Sequence, residues 1–328
     1  MGVYYHLAAK NFAWIFFVNL AFALWATDRG LRLLRLLYRN ISLRGMTTAT
    51  CEALPGDAVR VTIQMARPWK FAPGQHLYLY MPRLALWTSH PFTVSWSEEE
   101  QYIKFDEEKL SLHRQDIVHA TGKAKMSLII RRRTGFTDAL YKKAYSSPDR
   151  TFTTRVLAEG PYGQVDSLGS YGSVVLIAGG IGITHPVGYV RELVNAYAQG
   201  TVATRRVTLV WVIQSPEHLE WIRPWMTEIL AMEKRREVLK VLLFVTRPKS
   251  TKEIRSPSST VQMFPGRREY FLTCFHPPIP PHSVLTFVCA CASKHRYPPG
   301  SRARAEGGQD GCRRLRERVV ERRRPPRR

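Results

Sequence analysis

The stretch Val174-Val175-Leu176-Ile177-Ala178-Gly179-Gly180-Ile181-Gly182-Ile183-Thr184-His185-Pro186 decides the fold. It opens as a continuous apolar run, the pattern of a parallel strand buried on both faces. The run breaks into glycines, and Val187 to Gln199 then reads as a helix with apolar residues at Val187, Tyr189, Val190, Leu193, Val194 and Tyr197. Strand, glycine turn and helix make a phosphate cradle. Glycines let an anion approach the backbone N–H groups closely, and the helix N-terminus adds partial positive charge.

Downstream, Arg206–Ile213 reads as a second strand, Leu219–Lys234 as a helix and Glu237–Thr246 as a third strand. Alternating strands and helices imply a parallel sheet with right-handed crossovers. Upstream the pattern is different. Ala58–Ile63 alternates with period two, Phe71–Tyr80 is a turn feeding a strand, and Pro91–Trp96, Lys125–Ile130 and Arg155–Ala158 read as further strands. Short strands between turn residues suggest a small antiparallel barrel over Thr47–Gly163, with Glu98–His119 as a polar loop.

At the N-terminus, the apolar zone Leu7–Ala26 has the roughly 20 residues that a membrane helix needs. The segment Asp28–Arg39 follows it with Arg29, Arg32, Arg35 and Arg39 among leucines, which puts that end on the cytoplasmic side, with arginines facing lipid phosphates. The net charge is +23, and residues 266–328 hold fifteen Lys/Arg against five Asp/Glu. This tail is rich in Pro and Arg, lacks the apolar content to offset chain entropy, and is expected to be disordered. It lacks interleaved aromatics, so no nucleic-acid partner is expected. The five cysteines show no disulfide framework, and the Cys289–Cys291 pair lacks matched metal partners.

Ahead of the glycine turn stand Pro73-Gly74-Gln75-His76, His90-Pro91-Phe92-Thr93, Gly135-Phe136-Thr137 after Arg131-Arg132-Arg133, and Glu159-Gly160-Pro161-Tyr162-Gly163; after it stands Leu209–Gln214. In this order, over residues 12–265, the set resembles the cytoplasmic half of the ferric reductase and NADPH oxidase flavocytochromes. Gly180–His185 resembles the fungal ferric-chelate reductase branch. The resemblance implies a ferredoxin-reductase-like fold, α+β then α/β: an antiparallel six-stranded β-barrel flavin domain (46–168), then a parallel-sheet nucleotide domain (169–265). A membrane helix and its basic flank (1–45) precede them, and the basic tail (266–328) follows.

The same resemblance implies FAD at His90, Pro91, Phe92, Thr93, Arg131, Gly135 and Thr137. It implies NAD(P)H at Gly179, Gly180, Gly182, Thr184, Trp211 and Gln214. The family often has Arg where Gln214 stands, so the charge for the 2′-phosphate of NADPH would have to come from Arg205, Arg206 or Arg247, and NADH is an alternative. No catalytic side chain and no metal site are assigned. The expected function is that of an NAD(P)H-dependent oxidoreductase sending electrons through FAD towards membrane haem and external ferric or cupric chelates. The expected location is the plasma membrane, crossed once, with the flavin domain cytoplasmic. A superoxide-producing oxidase of the same family, or an inactive membrane-tethered flavin-binding module, are the alternatives.

Two departures from the family's pattern accompany these expectations. The Cys-Gly-Pro-Gly turn that the family places over flavin and nicotinamide is missing, and so are the paired histidines that would ligate haem b. The chain is therefore expected to begin inside the family's membrane domain. Its tail, from about Arg267, is expected to reflect a shifted reading frame or an intron.

Overall fold

The computed structural model describes residues 12–43, 45–67, 69–85, 88–98, 125–248, 256, 258–266 and 283–288. The chain forms two compact units. One takes the residues up to Ser167 together with 184–192 and 215–232, and the other takes 168–183, 193–214 and the residues from Glu233 onward.

The first unit opens with α1 (Phe12–Asn40) and a short hairpin, β1 (Ile41–Ser42) with β2 (Gly45–Met46). Then come β3 (Thr48–Leu54), β4 (Ala58–Gln64), β5 (His76–Tyr80), β6 (Ser89–Thr93), β7 (Trp96–Glu98), β8 (Lys125–Arg131), α2 (Phe136–Tyr145), β9 (Thr151–Arg155) and β10 (Leu157–Tyr162). All the ladders are antiparallel and form two sheets, β7-β8-β4-β3-β9 and β10-β5-β6. Alternation builds the core between them: Val59, Val61 and Ile63 of β4 point inward, while Arg60 and Thr62 stay half-exposed. Leu77, Leu79 and Leu128 close the same cluster.

The barrel has more strands than the six expected, for a local reason. The run Pro91–Trp96 is one apolar stretch in sequence, but the chain changes sheets inside it. Val94 N–H donates to Gln75 O, and Ser95 N–H donates to Ser127 O on the other sheet. The expected strand Arg155–Ala158 divides in the same way at Val156, whose N–H donates to Thr47 O between β9 and β10. The loop expected over Glu98–His119 lies, beyond β7, outside the described residues.

The segments 184–192 and 215–232 of this unit include the first half of α3 (Pro186–Ala198), a 3₁₀ turn over Pro216–Trp221, and α4 (Arg223–Ala231). Trp221 donates its indole N–H to Pro55 O at 2.8 Å, and Trp225 stacks on Trp96 at 5.6 Å. The helix expected over Leu219–Lys234 is therefore interrupted, with Pro224 in the first turn of α4 where its missing N–H costs nothing.

The second unit is a parallel sheet in the order β14-β13-β12-β11-β15, from β11 (Ser173–Gly179), β12 (Arg206–Ile213), β13 (Leu239–Val245), β14 (Val261–Pro265) and β15 (Ser283–Val288). A short helix, α5 (Arg235–Val238), leads into β13. Val174, Leu176, Val207, Leu209, Val241 and Val245 are buried along the three central strands. The strand β15 lies within the tail expected to be disordered. The run Ser-Val-Leu-Thr-Phe-Val takes the open edge of β11, pairing from Ser173–Ser283 to Ala178–Val288. Cys289 and Cys291 lie outside the described residues.

Among the described residues, no helix is long and apolar enough to cross a membrane. The expected span Leu7–Ala26 begins outside those residues. Its described part is helical and leaves Phe16, Phe17, Phe22, Leu24 and Trp25 largely exposed.

Candidate functional site

β6 carries His90, Pro91, Phe92 and Thr93 along the edge of the smaller sheet, where a proline lacking an N–H is tolerated. The ladder with β5 pairs Leu79 with His90 and Leu77 with Phe92, so these two side chains share one face. They meet the start of α2 there. Phe136 stacks on His90 at 4.5 Å between ring centroids and on Phe92 at 6.3 Å. Pro91 pairs with Tyr78 and Thr93 with His76, so the alternation turns these two toward the opposite face. The tetrapeptide is thus split between two faces.

Gly135 is the N-cap of α2 at φ 66°, and a Cβ built on it would meet nothing within 4 Å. The helix starts without a side-chain cap hydrogen bond, so its first N–H groups have no capping side chain. The Thr137 hydroxyl accepts from Arg133 N–H at 2.9 Å and shapes the turn ahead of the helix. The Nε2 atom of His90 is buried and has no hydrogen-bond partner. An orphaned ring nitrogen beside aromatic faces and an uncapped helix start fit a flavin nucleotide.

The three arginines before Gly135 do different jobs. Arg132 pairs with Asp138 at 2.7 Å and Asp57 at 3.5 Å, which holds the turn to the barrel. Arg133 is exposed. Burial, and then the neighbouring Arg133 charge, lower the pKa of Arg131, and its own charge reaches His218.

β11 ends at Gly179, Gly180–Thr184 form one 3₁₀ turn, and α3 begins at Pro186. Gly180 has φ 52°, the left-handed region that glycine enters without cost, and a Cβ on Gly179 would meet open space. The backbone is therefore bare at the carboxyl end of a parallel strand, where open α/β sheets bind nucleotides. Thr184 is mostly buried, at 8% exposure. Trp211, 2% exposed, donates its indole N–H to Gly180 O at 2.8 Å. That bond ties the strand to the turn. Gln214 is exposed just past the end of β12, and its carbonyl accepts from Arg247 N–H at 3.0 Å.

Residues 43–166 match a FAD-binding domain family, and residues 171–269 match the ferric reductase NAD binding domain family. The chain thus carries, in this order, a FAD-binding domain and a ferric reductase NAD binding domain. It is 30% identical to a probable cell surface ferric reductase of Aspergillus oryzae over 66% of this chain and 27% of that protein. It is 26% identical to a superoxide-generating NADPH oxidase heavy chain of Dictyostelium discoideum over 71% of this chain and 42% of that protein. A ferredoxin reductase in carbazole 1,9a-dioxygenase is similar at 15% identity and a TM-score of 0.49, covering 73% of this chain and 59% of that one. The chain thus spans about a quarter of the length of the A. oryzae ferric reductase.

A cluster that sequence reasoning missed sits at the join of α1 and the FAD-binding domain. Glu159 on β10 receives Arg32 in a two-pronged pair at 2.6 and 3.0 Å, Tyr80 at 2.8 Å and Tyr162 at 2.7 Å. Burial opposes its charge, but the hydrogen bonds from Arg32, Tyr162 and Tyr80 prevail and hold the carboxyl below the usual range. Asn40, fully buried, donates to Leu36 O and Ala158 O and accepts from Ala158 N–H. The first part of this cluster was already in the quoted Glu159–Gly163 motif, but its partners lie far away in sequence.

Proposed function

We propose that this chain is the NAD(P)H- and FAD-binding part of a ferric-chelate reductase, with His90, Phe92 and Gly135 holding FAD and Gly179–Gly182 receiving NAD(P)H. The observation that carries the flavin site is the buried, unpartnered Nε2 of His90 beside the uncapped start of α2. Pro91 and Thr93 belong to the same edge strand, and Thr137 fixes the turn before the helix. Arg131 contributes positive potential more than contact. A bound flavin supplies the hydride-to-single-electron step between a nicotinamide and one-electron acceptors. The protein's part is to hold and orient: Phe92 and Phe136 exclude water from one side of His90, and backbone N–H groups at Gly135 and in the Gly180 turn meet phosphates.

Ferric or cupric chelates are the proposed terminal acceptors, reached through haem b elsewhere in the electron path. The α1 helix, with apolar residues exposed over Phe16–Trp25 and arginines after them, is proposed to lie in the plasma membrane with the flavin domain on its cytoplasmic side. The test is a titration of FAD-loaded chain with NADPH and NADH, read at the flavin bands. Bleaching supports the reading, and an unchanged spectrum of bound flavin overturns it. The similarity to a superoxide-generating oxidase favours one rival reading, molecular oxygen as acceptor. Oxygen consumption measured against ferric-chelate reduction separates the two.

A further inference from the structure

A cleft of about 300 Å³ opens between the second half of α1 and β10. Arg32, Arg35 and Arg39 line it at spacings of three and four, which puts them on one helix face. Across from them stand Glu159, Gly160 and Tyr162. The carboxylates here are already matched. Glu159 is taken by Arg32, and Asp28, at the mouth, is taken by Arg29 at 2.8 Å.

Two positive charges remain. Neither Arg35 nor Arg39 has an ion pair among the described residues, and Arg39 lies 5.5 Å over the ring of Trp69, which steadies the guanidinium without using its N–H donors. Arg35 lies close enough to Tyr162 for its charge to act on that phenol. The β10–β5 ladder shifts register between Glu159 and Tyr162, so the chain at Gly160–Pro161 leaves regular pairing where it borders the cleft. The floor is rigid, because Asn40 and the Arg32–Glu159 pair clamp helix to strand on either side of Arg35 and Arg39. Planar guanidinium forks held this way suit the oxygens of a doubly charged phosphate.

We propose that the α1–β10 cleft is a binding site for a phosphate monoester, gripped by Arg35 and Arg39. Two sources of that group are possible, a phosphatidic acid headgroup and a soluble phosphate ester. The lipid source rests on the membrane placement proposed above, and the soluble source does not.

The test uses the full chain, with binding to glycerol 3-phosphate followed by calorimetry and binding to phosphatidic acid vesicles followed by flotation against neutral phosphatidylcholine vesicles. The R35Q/R39Q variant is compared with R236Q/R223Q, which removes the same charge from other exposed positions. The expected result is a loss of at least about tenfold in affinity in R35Q/R39Q and little change in the control, since two charge-assisted contacts are removed. Binding to vesicles alone assigns the lipid, and binding in both arms assigns the headgroup. Absence of binding in both arms, or equal weakening in both variants, overturns the site. Circular dichroism and FAD content of each variant show whether the fold and the flavin site are intact, so a failure here is separable from a failure of the flavin reading.

Discussion

The indole N–H of Trp211 donates to the carbonyl of Gly180 at 2.8 Å, tying the second strand of the parallel sheet to the turn that follows the first. The bond fixes the Gly180 peptide while leaving the Gly179 backbone bare. Trp211→Phe keeps the apolar bulk and deletes the donor. It should cost about 1–2 kcal/mol of stability, since a carbonyl beside a buried indole is left unpaired. It should also raise KM for NADH several-fold while leaving FAD content unchanged. Denaturant melts and nicotinamide kinetics check the two effects, and an unchanged KM would show that the turn holds its shape without the tryptophan.

The register of the sheet chooses among the three arginines that could answer the NADPH 2′-phosphate in place of a residue at Gln214. Arg205 precedes β12 and Arg206 begins it, whereas Gln214 follows its last residue, roughly 26 Å from Arg206 at the usual strand rise. Arg247 follows β13 on the same side as Gln214, and its N–H bonds to the Gln214 carbonyl. Arg247→Gln should therefore raise KM for NADPH by about tenfold or more and leave NADH unaffected, since a charge-assisted contact is lost. Arg206→Gln should change neither. Initial rates with both cofactors decide it, and equal effects on NADPH and NADH in Arg247→Gln would remove the assignment.

How far the sequence carries the reader follows from how local each signal is. Val174–Ala178 is legible because a strand buried on both faces needs no partner to declare itself, and His90–Thr93 is legible as a compact tetrapeptide. The helix α2 is not, because just Leu140 and Ala144 are fully buried along it, with Phe136 and Tyr141 half-buried and charged or polar residues between them, so its apolar stripe is short and weak. β3 is hidden for a similar reason, its inward positions including the small Ala49 and Cys51. The doubling of strands at Val94 and Val156 depends on where two sheets part, which no single stretch encodes. Asn40 and Glu159 gain meaning from partners 118 and 127 residues away.

That distant cluster makes a pH prediction. Glu159 titrates below the usual carboxylate range in the folded chain, because the hydrogen bonds from Arg32, Tyr162 and Tyr80 outweigh its burial. Its contribution is thus fully present above about pH 4.3, the ordinary glutamate value, and fades as pH falls through the lower folded value. Glu159→Gln should cost about 1–3 kcal/mol at neutral pH, the lower end reflecting Arg32's exposure to water. The gap between wild type and variant should narrow below pH 4. Thermal melts from pH 7 to 3 provide the comparison, and a gap that stays constant would show that the loss is one of packing and not of charge.

His218 should act at milder acidity. It stacks on Trp221 at 4.1 Å, and its Nδ1 is buried without a partner. Gly56 packs against the ring so closely that a Cβ there would lie 2.7 Å from His218 Cδ2. Burial, and then the Arg131 charge, push the imidazole down to about 4. In the unfolded chain it takes up a proton near 6.5. Between these values the unfolded state binds the extra proton, so acidification from 6.5 to 4 lowers stability and further acidification through this group does not. His218→Gln removes the titration while keeping a polar side chain of similar reach. The variant's stability should therefore fall less than that of wild type over this interval, whatever its value at pH 7. Parallel urea melts at closely spaced pH values measure the two slopes, and identical slopes would mean that His218 is protonated in the folded chain as readily as in the unfolded one.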